Sequence, residues 1–137
     1  MRTTVWEGPF ANISGNDFGA ERWAITDDGS LPANPIPSSA DLAGRYVMSG
    51  SNPDGSTYSG HATVKRAGKV LQVVSVVNDD QRIGIGIGYR DGLAVAFDDK
   101  AGKLLQVFKI DGDGLIGFWA NDGAEQMGSE RWVRWTQ

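Results

Sequence analysis

The chain has no cysteine and a single histidine, His61, in 137 residues. Without thiols there is no disulfide framework and no thiolate nucleophile, and the redox compartment cannot be read. A zinc site asks for roughly three or four N, S or O ligands, which one imidazole without thiols does not supply. A Ser-His-Asp or Cys-His site needs its base beside a nucleophile and an orienting group. His61 instead alternates with Ser59 and Thr63 in an extended run, which reads as the polar face of a strand. Positive charge is in deficit as well: 13 Lys and Arg against 17 Asp and Glu leave a net charge of −4. Nucleic acid needs a basic face and is not an expected partner. No stretch approaches the ~18 consecutive apolar residues of a membrane helix, so no membrane partner is expected. The opening MRTTVWEGPF lacks the apolar core, roughly 7–15 residues, of a secretory signal. A cytoplasmic location is the expectation, with a mature exported domain behind an added methionine as the alternative. Proline is scarce at 5 residues, too few for a disordered chain.

Glycine, by contrast, is abundant at 19 residues, and it recurs beside turn-like positions. The length fits one domain, 1–137, able to build a single core without staples. From Gly44 onward, short apolar or alternating runs are cut by Asn52-Pro53-Asp54-Gly55, Ala67-Gly68, Asn78-Asp79-Asp80, Asp91-Gly92, Lys100-Ala101-Gly102, Asp111-Gly112-Asp113-Gly114 and Asn121-Asp122-Gly123. Asp-Gly and Asn-Asp tips suit hairpin turns whose positive φ matches strand twist. The runs between them predict strands at Arg45–Gly50, Tyr58–Arg66, Val70–Val77, Arg82–Tyr89, Leu93–Phe97, Leu104–Ile110, Leu115–Ala120 and Gly128–Trp135. Such even spacing without helical period predicts an all-β, antiparallel, up-and-down barrel of about 8–10 strands, closed to hide its edges. A β-sandwich is the alternative. Val70–Val77 and Leu104–Phe108 are apolar on both faces. One face should fill the barrel, and the other should be covered by a partner subunit or by the N-terminal segment.

Within that segment, Gly19-Ala20-Glu21-Arg22-Trp23 reappears as Gly128-Ser129-Glu130-Arg131-Trp132, and Trp6 stands upstream of one as Trp119 does of the other. Residues 5–25 therefore read as a second copy of the terminal hairpin at 116–135, with a longer loop. Residues 26–43, with Pro32, Pro35 and Pro37, read as an irregular connector to the strands of 44–135. The extra hairpin is expected to add two strands, to wrap the outside of the sheet, or to swap into a partner chain.

Gly44-Arg45-Tyr46, Gly50-Ser51-Asn52-Pro53-Asp54-Gly55-Ser56, Tyr58 and Gly60 resemble a unit of uncharacterised small bacterial β-proteins. Leu93-Ala94-Val95, Asp113-Gly114-Leu115, Gly117, Trp119 and Gly128-Ser129-Glu130 fit its later part. In those proteins the unit ends on a G-x-W and then a G-x-E pattern, sometimes in tandem copies. The resemblance covers roughly residues 42–135 and implies no function. By architecture alone the chain is similar to calycin-like barrels, the lipocalins and avidins, although no lipocalin or biotin-pocket motif is present.

Asp98-Asp99 and Asp111 to Gly114 lack the ligand spacing of a calcium loop, about twelve residues ending in a bidentate glutamate, and read as turns. Ile83-Gly84-Ile85-Gly86-Ile87-Gly88 is a period-two strand and not a phosphate loop. Its bare glycine face accepts tryptophan rings from a neighbouring strand or leaves room for a ligand. Glu21 and Glu130 share a strand face with Trp23 and Trp132. Such a carboxylate is expected to be structural, paired with an arginine or with backbone donors. If desolvated and unpaired, its pKa rises and it becomes an acid or base.

Three functions follow as expectations. The first is a binding module that holds a small apolar molecule or a sugar in the barrel mouth, lined by Tyr46, Tyr89, Phe97, Phe108, Trp119, Glu130 and Trp132. The second is a structural or interaction protein, a homodimer joined through the hairpin and the two-faced strands. The third is a metal-independent isomerase or cyclase using Glu130 as acid or base, helped by Tyr46 or Tyr89. No metal or cofactor is expected, and an enzyme is the least favoured of the three.

Overall fold

Turn chemistry and period-two patterning together cut the described residues into ten strands. The structure, a computed structural model, describes residues 4–11, 18–25, 41–89 and 91–135. Its strands are β1 (Thr4–Ala11), β2 (Phe18–Ile25), β3 (Gly44–Ser51), β4 (Thr57–Ala67), β5 (Val70–Val77), β6 (Asp80–Tyr89), β7 (Gly92–Asp99), β8 (Gly102–Asp111), β9 (Gly114–Asn121) and β10 (Gly128–Arg134). Strands β3 to β10 form a closed barrel in which each pairs antiparallel with its sequence neighbours. Closure comes from β10 bonding to β3, with Trp132 opposite Met48 and Arg134 opposite Tyr46. That seam sets aside the sandwich and leaves the barrel without a free edge.

The turns behave as their residues require. Asn78 and Asp79 both take positive φ, 50° and 68°, which makes the two-residue β5–β6 hairpin. In the β3–β4 turn, the Asp54 carboxylate accepts from the Ser56 amide at 2.9 Å and from its hydroxyl at 2.6 Å. These two bonds hold Asp54 below the usual carboxylate pKa.

Alternation then sorts side chains to the two faces. Tyr46, Met48, Ala62, Val64, Val73, Leu93, Val95, Phe97, Phe108, Leu115 and Trp132 fill the interior. Trp132 is fully buried, its ring 4.6 Å from that of Phe108 and 5.7 Å from that of Tyr46. One barrel end is plugged. Leu42 packs into it, the Tyr46 hydroxyl donates to the Leu42 carbonyl at 2.7 Å, and Arg134 donates to the carbonyls of Ala43 and Asp41. The other end carries the turns after β3, β5, β7 and β9.

Glycine makes this packing feasible. Along one row across three strands, Tyr58, Gly50 and Glu130 are successive neighbours. A Cβ on Gly50 would fall within the Tyr58 ring, so only glycine lets that ring cross β3 and reach β10. The bare face of β6 also points inward, but tryptophans do not cover it. Phe97 lies over Gly84, Leu93 and Val73 flank Gly86, and Leu42 reaches Gly88.

The outer face carries apolar side chains. Leu105, Val107 and Phe118 stand together on β8 and β9, 56–60% exposed, so no described residue covers them. The first hairpin forms its own two-stranded sheet, and β1 approaches β6. Its register also corrects the pairing of tryptophans. Phe10 faces Gly19 as Trp119 faces Gly128, and Gly8 faces Glu21 as Gly117 faces Glu130. Phe10, not Trp6, therefore holds the place of Trp119, and the loop between is not longer. Residues 26–40 of the connector lie outside the described residues.

Candidate functional site

At the end opposite the Leu42 plug, inward positions near the strand tips leave a cavity of about 310 Å³. Tyr58, Val77, Phe97, Leu104, Gln106, Trp119 and Glu130 line its depth, and Asn52, Asn78, Arg82 and Asn121 stand toward the turns. Two larger depressions, of about 630 and 670 Å³, lie along outer faces of β7–β9 and of β3, β4 and β10.

The chemistry of the inner cavity centres on Glu130, 8% exposed. Its Oε2 accepts from the Tyr58 hydroxyl at 2.5 Å. Its Oε1 accepts from the Trp132 indole at 2.8 Å and from the Gln106 amide at 3.2 Å. Burial pushes the Glu130 pKa above the ordinary glutamate value, and the three donors offset part of that rise. Burial is also the main reason the Tyr58 hydroxyl is pushed far up, with its bond to Glu130 adding to the effect. Tyr58 therefore stays protonated and donates. The expected arginine or backbone partner of Glu130 is replaced by three side chains from β4, β8 and β10.

Among the described residues, Gln106 Oε1 and Trp119 Nε1 are buried polar atoms without a partner in hydrogen-bond geometry. Gln106 itself is 2% exposed. Only its NH2 can donate to the carboxylate, so its carbonyl oxygen must point elsewhere. Trp119 sits beside it, opposite Gln106 on the neighbouring strand. Its indole N–H comes near the Tyr58 oxygen without meeting hydrogen-bond geometry. Gln106 and Trp119 thus stand at paired positions of neighbouring strands in the cavity wall. An unpartnered buried polar group costs about 1–3 kcal/mol, and ordered water or a ligand group is the usual partner of such atoms.

Arg82 braces the rim. It donates to both carboxylate oxygens of Asp99, at 2.8 and 3.1 Å, and to the Gly102 carbonyl at 3.1 Å. Its guanidinium lies 5.4 Å from the Phe97 ring centroid. The Arg82 bond holds Asp99 below the usual carboxylate pKa.

Of the residues expected to line the mouth, Phe97, Trp119 and Glu130 do line the cavity. Tyr46, Phe108 and Trp132 do not: all three are core, and Tyr46 belongs to the plugged end. The side chain of Tyr89 lies outside the described residues. Tyr58 and Gln106 were missed. Gln106 was readable as the lone polar residue on an inward run between Leu104 and Phe108, and Tyr58 as period-two neighbour of Gly60 and Ala62. His61 is exposed on the outer face. Among the described residues no three His, Asp or Glu side chains gather to hold a metal ion.

The molecule is an all-β, eight-stranded, closed antiparallel barrel with an added N-terminal hairpin. Neither a protein-family model nor a curated protein matches the chain.

Proposed function

We propose that the barrel is a small-molecule-binding module that seats a neutral, partly apolar compound in its unplugged end. The observation that carries this reading is the unpartnered pair of Gln106 Oε1 and Trp119 Nε1 in the cavity wall. A compound with an acceptor and a donor on adjacent atoms, such as a cyclic amide or a vicinal diol of a sugar, satisfies both atoms. Phe97, Leu104 and Val77 offer the apolar remainder. At about 310 Å³ the cavity stands at the low end of ligand sites, which run roughly 300–1,000 Å³, so a compact ligand suits it better than a lipid. A charged ligand suits it poorly, because the charged groups among the described lining residues are Glu130, saturated by three donors, and Arg82, already paired with Asp99.

The proton-transfer reading draws on the raised Glu130 pKa. Three donors on one carboxylate hold it still and occupied, which favours a binding wall over an acid or base.

Isothermal titration with a panel of neutral cyclic amides, monosaccharides and aliphatic alcohols tests the proposal. At least one class should bind the wild type and lose about tenfold in affinity, ~1.4 kcal/mol, in Gln106→Leu. Equal binding by wild type and Gln106→Leu across the panel, or no binding by any class, would overturn it.

A further inference from the structure

The two similar hairpins sit differently: β9–β10 closes the barrel and β1–β2 stands outside it. Their likeness is one of position as well as composition. Gly8, Ala11, Asn12, Gly19, Glu21, Arg22 and Trp23 recur, at one constant offset, as Gly117, Ala120, Asn121, Gly128, Glu130, Arg131 and Trp132. The two backbones pair in the same register, with Gly8 opposite Glu21 where Gly117 is opposite Glu130. Both place an aromatic ring over a glycine, Phe10 on Gly19 and Trp119 on Gly128.

The seat that suits this residue set is the slot between β8 and β3. There Glu130 takes its three hydrogen bonds, Trp132 fills the core, and Gly117 and Gly128 leave room for the Phe108 and Trp119 rings. The same side chains in the same register would meet the same walls. Connectivity allows it too. The last residue of β10, Arg134, pairs with Tyr46 near the start of β3. Ile25, the last residue of β2, corresponds to Arg134, so residues 26–43 would only have to join neighbouring strands. Strands β1 to β8 would then run as the same meander, circularly permuted.

We infer that β1–β2 is an alternative occupant of the slot between β8 and β3 in its own chain, exchanging with β9–β10. Two differences decide which hairpin prevails. Leu115, 1% exposed, corresponds to Trp6, whose ring overfills a packed interior. Phe118 corresponds to Pro9, which has no N–H for the ladder of a strand paired on both sides. Hence β9–β10 holds the seat and β1–β2 is the minor occupant. Exchange also puts Phe10 where Trp119 stands and removes the indole donor from the cavity. That consequence rests on the binding reading above; the exchange does not.

Because the chain lacks cysteine, paired engineered thiols report the occupant in the full-length protein. Arg131 lies opposite Ser49 across the seam, both exposed, and Arg22 corresponds to Arg131. Directly opposed strand residues lie about 4.5–5.5 Å apart, within disulfide reach. R22C/S49C, oxidised mildly, is expected to form an intramolecular disulfide. It should do so about 10- to 1,000-fold more slowly than R131C/S49C, matching a minor state of about 0.1–10%. It should still outpace R22C/K65C, whose second thiol stands on β4 beyond the start of β3. Adding W23A should slow the R22C/S49C disulfide further. A rate no higher than the R22C/K65C control overturns the inference. Disulfides formed only between two molecules overturn it as well, since the seat would then belong to a second copy. Reduced variants that melt like the wild type show that the added thiols have not disturbed the fold.

Discussion

Glu130 is protonated more readily in the folded barrel than in the unfolded chain, because burial outweighs its three donors. Its folded pKa lies above the ordinary 4.5, so the native state binds the proton more tightly. Stability from this group is therefore complete below about pH 4.5 and falls as pH rises through the folded value. Asp99 works in another window: Arg82 holds it below 3.8, so its contribution is lost only on acidification below that range. Urea unfolding across pH 4–8 separates the two. Glu130→Gln is expected to flatten the decline above pH 4.5 and to stay within about 1 kcal/mol of wild type at pH 7, since a glutamine oxygen still accepts from Trp132 and Gln106. Glu130→Ala leaves three buried donors without an acceptor and should cost about 2–4 kcal/mol. An unchanged pH slope in Glu130→Gln would show that the buried proton resides elsewhere.

Strands were legible because their apolar alternation and turn residues agree; β3 to β10 differ from the sequence expectation by only a residue or two at their ends. What alternation could not show is which aromatic covers which glycine, because that depends on register between strands. The sequence pairs Trp6 with Trp119 as the tryptophan upstream of each shared Glu-Arg-Trp, at unequal spacing, whereas cross-strand pairing puts Phe10 in that place. Register likewise explains why Tyr58 was missed: it becomes a partner of Glu130 only by crossing Gly50. Glycine substitutions test this arrangement. An alanine at Gly50 collides with the Tyr58 ring and should cost about 1–3 kcal/mol by chemical denaturation. At Gly86 the nearest atoms lie 3.3–3.4 Å from the added Cβ, so alanine should be milder there. Equal costs at the two positions would mean that the ring does not lie over Gly50.

At the scale of the whole molecule, closure separates a filled interior from a cavity at one end. If the β10–β3 seam is as firm as the rest, its amides, Val133 and Val47 among them, should exchange with deuterium no faster than those of β5 and β6. Fast exchange confined to the seam would describe an open sheet. The barrel was readable from the sequence through strand count and the need to bury edges. The plugged end was not, because it depends on Leu42, a residue of the connector, and on Arg134 reaching two connector carbonyls. Three of the expected mouth residues consequently belong to the core. Polar floors are hard to read for a similar reason: Gln106, Tyr58 and Glu130 come from three separated strands.

The most direct measurement is the indole N–H resonance of Trp119, followed by 15N-labelled NMR while 2-piperidone, a cyclic amide, is added. A ligand seated against Gln106 and Trp119 should move that resonance and the Gln106 side-chain amide in a saturable way, leaving the exposed Trp135 indole in place. Saturable shifts at Trp135 or along Leu105, Val107 and Phe118, with Trp119 unmoved, would place binding on the outer face and contradict the account.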